Sequence, residues 1–252
     1  MFAQLLLLFF LITSPLPLRP LNARLIYKGQ AYGIYLYCSG GPELASKEAL
    51  LKILFVITPK KLNNTFYVLN LSVEIYNSSK IIYANSTSVL LNIKTREVYK
   101  LNGEMIGITG FYLTRNDIEN KSFVVTSFEK YKFVGRVVDD VRLVVNKTDI
   151  CGLMISSAFE VERGQLAFNY YYDSKSLLVL YMEGFIVDAL LYSVGIFMIA
   201  NLDLGFSLYG NAQPILSTPL NPLNLMLILI IILIASIILF ALIYKKLFRG
   251  TK

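Results

Sequence analysis

Apolar and polar residues alternate with a period of two along much of the chain. Over residues 65–76 one face reads Tyr67, Leu69, Leu71, Val73 and Ile75, and the other reads Phe66, Val68, Asn70, Ser72 and Glu74. This alternation predicts a half-buried strand, because successive strand side chains point to opposite faces. Asn77-Ser78-Ser79-Lys80 has turn chemistry and leads into an apolar-rich run over 81–93, so the two segments predict a hairpin. Residues 136–146 repeat the pattern, with Val137, Val141, Leu143 and Val145 set against Arg136, Asp140 and Arg142. Further strands are expected near 25–37, 105–113, 122–134, 153–161, 165–173, 176–187 and 190–209. One helix is expected over 43–54, after Gly41-Pro42 and before Pro59. The pattern predicts a mainly β fold with one or two helices. Its sheet should be antiparallel and curved, as a half-barrel or a sandwich.

The two ends break this pattern. Residues 223–244 are 22 positions without a charge. At ~1.5 Å per residue they reach ~33 Å as a helix, enough for a bilayer core of ~30 Å. We read them as one C-terminal transmembrane helix. Lys245, Lys246, Arg249 and Lys252 follow it directly, and no Lys or Arg precedes it back to Lys175. Basic flanks stay cytoplasmic, so the tail 245–252 is expected inside and the N-terminal domain outside. At the other end, the apolar run over 5–12 is too short to span and suits a signal peptide, placed at 1–23. Between them lie a β-rich extracellular domain, 24–210, and a stalk, 211–222, carrying Pro214, Pro219 and Pro222.

Composition agrees. Hydrophobic residues make up 55%, charged residues 16%, and the net charge is +7. Residues 24–222 hold 19 basic and 17 acidic side chains, so the excess sits mostly in the tail. The basic balance is therefore a topology signal, and no nucleic-acid partner is expected. The run over 177–200 is apolar enough to mimic a second span, but Glu183 and Asp188 near its middle favour two buried strands. An apolar surface facing lipid is the alternative for that run.

Six Asn-x-Ser/Thr sequons, at Asn63, Asn70, Asn77, Asn85, Asn120 and Asn146, all fall in the exported part. Chance would give about two. Cys38 and Cys151 are the only cysteines, and in an oxidising exterior they are expected to form a disulfide. The chain has no His, which excludes Ser–His–Asp and Cys–His catalysis and His-ligated metals. Asp139-Asp140 and Glu160/Glu162 are the close carboxylate pairs. Strand geometry puts the first pair on opposite faces, and the second reads as a solvated strand end. Tyr170-Tyr171-Tyr172 reads as core plus surface rather than a sugar platform. No catalytic, cofactor-binding or metal residue is expected, and no cofactor.

Three short elements carry a resemblance: Lys28-Gly29-Gln30 opening a strand, the run Tyr171-Tyr172-Asp173-Ser174-Lys175-Ser176-Leu177-Leu178, and Met198-Ile199-Ala200-Asn201-Leu202-Asp203 before the stalk. With the signal and span in place, the chain resembles archaeal type I surface membrane proteins with a β-rich ectodomain. The turn glycine usual after the Tyr-Asp element is missing at Ser176. The resemblance implies a fold similar to the lipoprotein-carrier half-barrel and implies no catalytic residue. The expected function is a membrane-anchored surface glycoprotein, a non-enzymatic structural or interaction module of the envelope. Its expected partners are membrane lipid and an envelope or membrane protein. The alternatives are a carrier of lipid or another apolar ligand, or an accessory subunit of a membrane complex.

Overall fold

A computed structural model describes residues 23–38, 41–46, 49–145, 148–161, 164–208 and 212–215. The signal region up to residue 22, the expected span, the tail residues Lys245, Lys246, Arg249 and Lys252, and Asn146 lie outside the described residues. No helix among the described residues is long and apolar enough to cross a membrane.

The strands are β1 (Leu25–Cys38), β2 (Gly41–Leu44), β3 (Leu51–Lys61), β4 (Phe66–Asn77), β5 (Lys80–Asn92), β6 (Glu97–Lys100), β7 (Met105–Ile108), β8 (Phe123–Phe128), β9 (Tyr131–Val145), β10 (Thr148–Val161), β11 (Gly164–Asp173), β12 (Val179–Gly184), β13 (Ile196–Leu208) and β14 (Ala212–Ile215). Two short helices, α1 (Arg115–Glu119) and α2 (Ala189–Ser193), complete the described elements. The fold is mainly β and antiparallel, as expected, and the hairpin of β4 and β5 pairs from Phe66↔Asn92 to Asn77↔Lys80. All five residues expected on the inner face of β4 are buried.

The sheet closes, which corrects the half-barrel or sandwich expectation. Neighbours run β10-β11-β12-β13-β1-β3-β4-β5-β6-β7-β8-β9, and β9 pairs again with β10, making a ring of 12 strands. β9 makes this possible by its length of 15 residues. Its first residues pair β8, its last pair β14, and β10 lies along it from Gly135 to Val145. Closure leaves no unpaired edge in the ring. β14 also places Ala212–Ile215 in the sheet, where a stalk was expected.

Two more expectations change. The described residues of 43–54 form no helix: β2 ends at Leu44 and β3 starts at Leu51. Leu51, Ile53, Phe55 and Ile57 alternate inward, and β3 pairs along its whole length with β4, so sheet partners override the local apolar cluster. The Cys38–Cys151 disulfide is absent, and both thiols are free. Cys38 ends β1 and Cys151 lies in β10, with β11, β12 and β13 between them in the ring. Four steps of ~4.8 Å separate them along the sheet, against ~5.5 Å between bridged Cα atoms.

A ring of this size encloses more room than short wall side chains fill. Two inward segments take it up. Residues 109–113 follow β7, and 185–191 follow β12, and every residue in both is buried. Gly184, at φ 83°, starts the second inward turn, and a Cβ there would overlap Ala167 O. Phe111 packs edge-on against Tyr27 at 4.8 Å and tilted against Phe55 at 5.5 Å. Wall tyrosines satisfy two carbonyls brought inside and one of the wall: Tyr170 donates to Val187 O at 2.9 Å, Tyr172 to Gly110 O at 2.7 Å, and Tyr27 to Val179 O of β12 at 2.9 Å. The apolar run over 177–200 is thus β12, an inward crossover with α2, and the start of β13.

Candidate functional site

At one end of the ring the C-terminus of β1, the middle of β5, the turn from β6 to β7 and helix α2 surround a groove of about 710 Å³. Helix α2 is held there from below. Asp188 is its N-cap and accepts from Leu190 N at 2.8 Å, from Thr109 Oγ1 at 2.9 Å and from Gly110 N at 2.6 Å. Burial raises the Asp188 carboxyl from its ordinary 3.8 to about 6, and the donors around it oppose that rise.

The groove wall on β5 changes character along one face. Leu91 and Val89 are buried, and the same face continues as Thr87, Asn85 and Tyr83. Tyr83 donates to Val194 O at 2.8 Å, and Asn85 Nδ2 contacts the same carbonyl at 3.2 Å. These bonds fix the end of α2 against β5. On the opposite side Tyr37, about half exposed, meets the Tyr192 ring edge-on at 5.2 Å. Tyr192 stacks on Phe128 at 5.0 Å, and its hydroxyl donates to Glu129. Desolvation first, then the Glu129 bond, pushes the Tyr192 hydroxyl well above its usual range.

Charge in the groove is small. Lys100 is its one charged lining residue, and Nζ lies 2.9 Å from both Glu104 oxygens. That bond holds the Glu104 carboxyl below its usual range. Asn102 accepts from Glu104 N at 3.1 Å through Oδ1. No Asp or Glu is among the lining residues.

The expected site residues distribute as follows. Asn63, Asn70, Asn77, Asn85 and Asn120 are all exposed. Asn70 lies on the outer face of β4 and accepts from Ser88 Oγ at 2.8 Å, whereas Asn85 points into the groove. Asp139 and Asp140 are exposed on β9 beside an irregularity in its pairing with β10. Tyr170, Tyr171 and Tyr172 are all buried and offer no platform. No group of three or more acidic or Cys side chains among the described residues could hold a metal ion. Sequence reasoning missed the groove, because Tyr37, Asn102 and Tyr192 meet only through ring closure and carry no local motif. Comparison with protein-family models, curated proteins and solved structures gives no match.

Proposed function

We propose that the chain is a membrane-anchored surface glycoprotein, a non-enzymatic interaction module displayed outside the cell, with the rim groove as its contact site. The observation that carries this reading is the exposure of all five described sequon asparagines on a closed barrel. The order of segments supports it: an apolar leader at 1–23, the sequon-bearing domain, the uncharged run 223–244, and a tail bearing Lys245, Lys246, Arg249 and Lys252. A carrier of apolar ligands would need an open lumen, and here the segments 109–113 and 185–191 pack into it. Exposed Ile81, Leu101 and Met105 near the groove favour, as a second reading, an accessory subunit that docks on a membrane complex.

The exposed Cys151 makes the topology testable. In cells displaying the Cys38→Ser chain, a membrane-impermeant maleimide should label Cys151 before lysis, and glycosidase treatment should lower the mass. Labelling that requires lysis would overturn the topology. An unmodified mass would overturn the glycoprotein reading.

A further inference from the structure

The geometry points to a neutral saccharide as the ligand of the rim groove, an inference that rests on the groove being the contact site. Four features of the groove select that chemistry.

The first is charge. Lys100 is already paired with both oxygens of Glu104, so the groove offers no uncompensated cation to a phosphate, sulfate or carboxylate. The second is hydrogen bonding by uncharged groups. Among the described residues Thr87 Oγ1 makes no hydrogen bond within the chain, Asn102 Nδ2 reaches only the exposed Glu104 carboxylate, and Asn85 Oδ1 accepts only from Ser86 N, at 2.8 Å. A hydroxyl both donates and accepts, so a polyol can use amide oxygen, amide nitrogen and hydroxyl together. The third is the exposed ring of Tyr37, supported at its edge by Tyr192, which gives a flat apolar surface for the C–H face of a sugar ring. The fourth is rigidity. Tyr83 and Asn85 both bind Val194 O, and Tyr192 is backed by Phe128, so little ordering cost remains at binding. The volume of about 710 Å³ suits a small-molecule ligand.

The same lining speaks against hydrolysis of that saccharide. Glycoside cleavage uses two carboxyl groups flanking the bond, and the groove lining contains none. The site therefore binds and releases.

The test is affinity electrophoresis of the full chain in detergent micelles, through gels containing amylose, mannan or cellulose oligomers, with dextran sulfate as the charged control. At least one neutral gel should retard the protein and dextran sulfate should not. Tyr37→Ala and Asn102→Ala should each weaken retardation roughly tenfold, while Tyr37→Phe, which keeps the ring, should retain it. Melting curves of each variant separate lost binding from lost folding. Pretreatment with glycosidase distinguishes sources. Retardation that appears only afterwards means that the protein's own glycan, or that of a second copy, fills the groove. Retardation without treatment means a free polysaccharide. Absence of retardation in every neutral gel before and after treatment overturns the proposal, as does retardation unchanged in both Ala variants. Neither result bears on the topology, which Cys151 labelling reads separately.

Discussion

Thr109 and Asp188, 79 residues apart, meet inside the barrel through a 2.9 Å hydrogen bond from hydroxyl to carboxylate. Each belongs to one of the two inward segments. The bond therefore joins the chain that follows β7 to the chain that carries α2, and it ties the groove floor to the core. Thr109 reaches the other way as well. Its carbonyl accepts from Arg96 Nη1 at 2.8 Å, and Arg96 Nη2 donates to Asp117 Oδ1 at 3.0 Å. One threonine thus links the buried Asp188 to the partly buried Arg96–Asp117 pair.

Asp188 makes stability depend on pH in a stated direction. Its carboxyl rises from 3.8 to about 6 in the fold, so the folded state holds a proton that the unfolded state has released between those values. That contribution is complete below about 4 and is lost as pH rises through about 6. The gap corresponds to roughly 3 kcal/mol. The other ionisable groups near it are Tyr170 and Tyr172, both neutral because burial raises them well above 10, and the Arg96–Asp117 pair beyond Thr109. Between pH 7 and pH 3 the stability of the native protein relative to Asp188→Asn should rise by ~3 kcal/mol. Paired thermal melts should show this as a relative gain of roughly 6–12 °C. A difference in melting temperature that does not vary with pH would refute it.

Arg96 should be intolerant of substitution. It is buried, and its guanidinium serves Thr109 O and Val125 O, each at 2.8 Å, together with Val124 O and Asp117. Its Nε lies 3.0 Å from Asp117 Oδ2 as an ion pair without hydrogen-bond alignment. Phe123 lies beneath the guanidinium, 5.9 Å away. Arg96→Lys keeps the charge but cannot reach this set of carbonyls, because an ammonium is a compact donor without the planar fork. Arg96→Met leaves Asp117 partly buried with no counter-charge. Urea denaturation should show a loss of about 2 kcal/mol for Lys and ~3–5 kcal/mol for Met.

Period-two alternation marked most of the wall, because a strand buried on one face writes itself into every second residue. Tyr67 to Ile75 and Val89 to Leu91 are examples where face and burial agree. The short strands β6 and β7, of four residues each, are too brief to carry a period. Residues 109–113 and 185–191 are apolar for a different reason: they fill a lumen that exists only after closure. Closure itself rests on β1 pairing with β13, from opposite ends of the domain, and no local pattern states that these two strands meet. The groove shares that origin, since Tyr37 and Tyr192 lie on distant parts of the chain and touch only at the rim.

In the glycoprotein proposed above, glycan occupancy should be uneven across the sequons. The sugar is attached at Nδ2, and in two sequons that atom is engaged. Asn85 Nδ2 donates to Val194 O at 3.2 Å, and Asn120 Nδ2 donates to Asn116 O at 2.6 Å. Asn63 and Asn70 use only their oxygens, as acceptors from Thr65 N and Ser88 Oγ at 2.8 Å each. Mass spectrometry of glycopeptides from the native membrane should find Asn63 and Asn70 more fully occupied than Asn85 and Asn120. Equal occupancy at all four would show that attachment precedes the folding that engages Nδ2.

The barrel should open where β7 meets β8 well before it opens between β4 and β5. That seam holds two register pairs, Gly107↔Phe128 and Ile108↔Ser127, whereas β4 and β5 share pairs along their full length. Fewer ladder bonds mean a lower free energy of local opening. Gly107 adds a steric condition, since a Cβ at this position would overlap Ser127 O and crowd the Phe128 backbone at 3.0 Å. In hydrogen exchange the amides of 107–108 and 127–128 should therefore exchange well before those of 67–75 in the native protein. Gly107→Ala forces the seam apart, and it should cost about 2–4 kcal/mol and speed exchange on both sides of the seam while leaving β4 protected. Uniform loss of protection over the whole barrel in that variant would mean that the ring opens as one cooperative unit, and the seam would then have no separate stability.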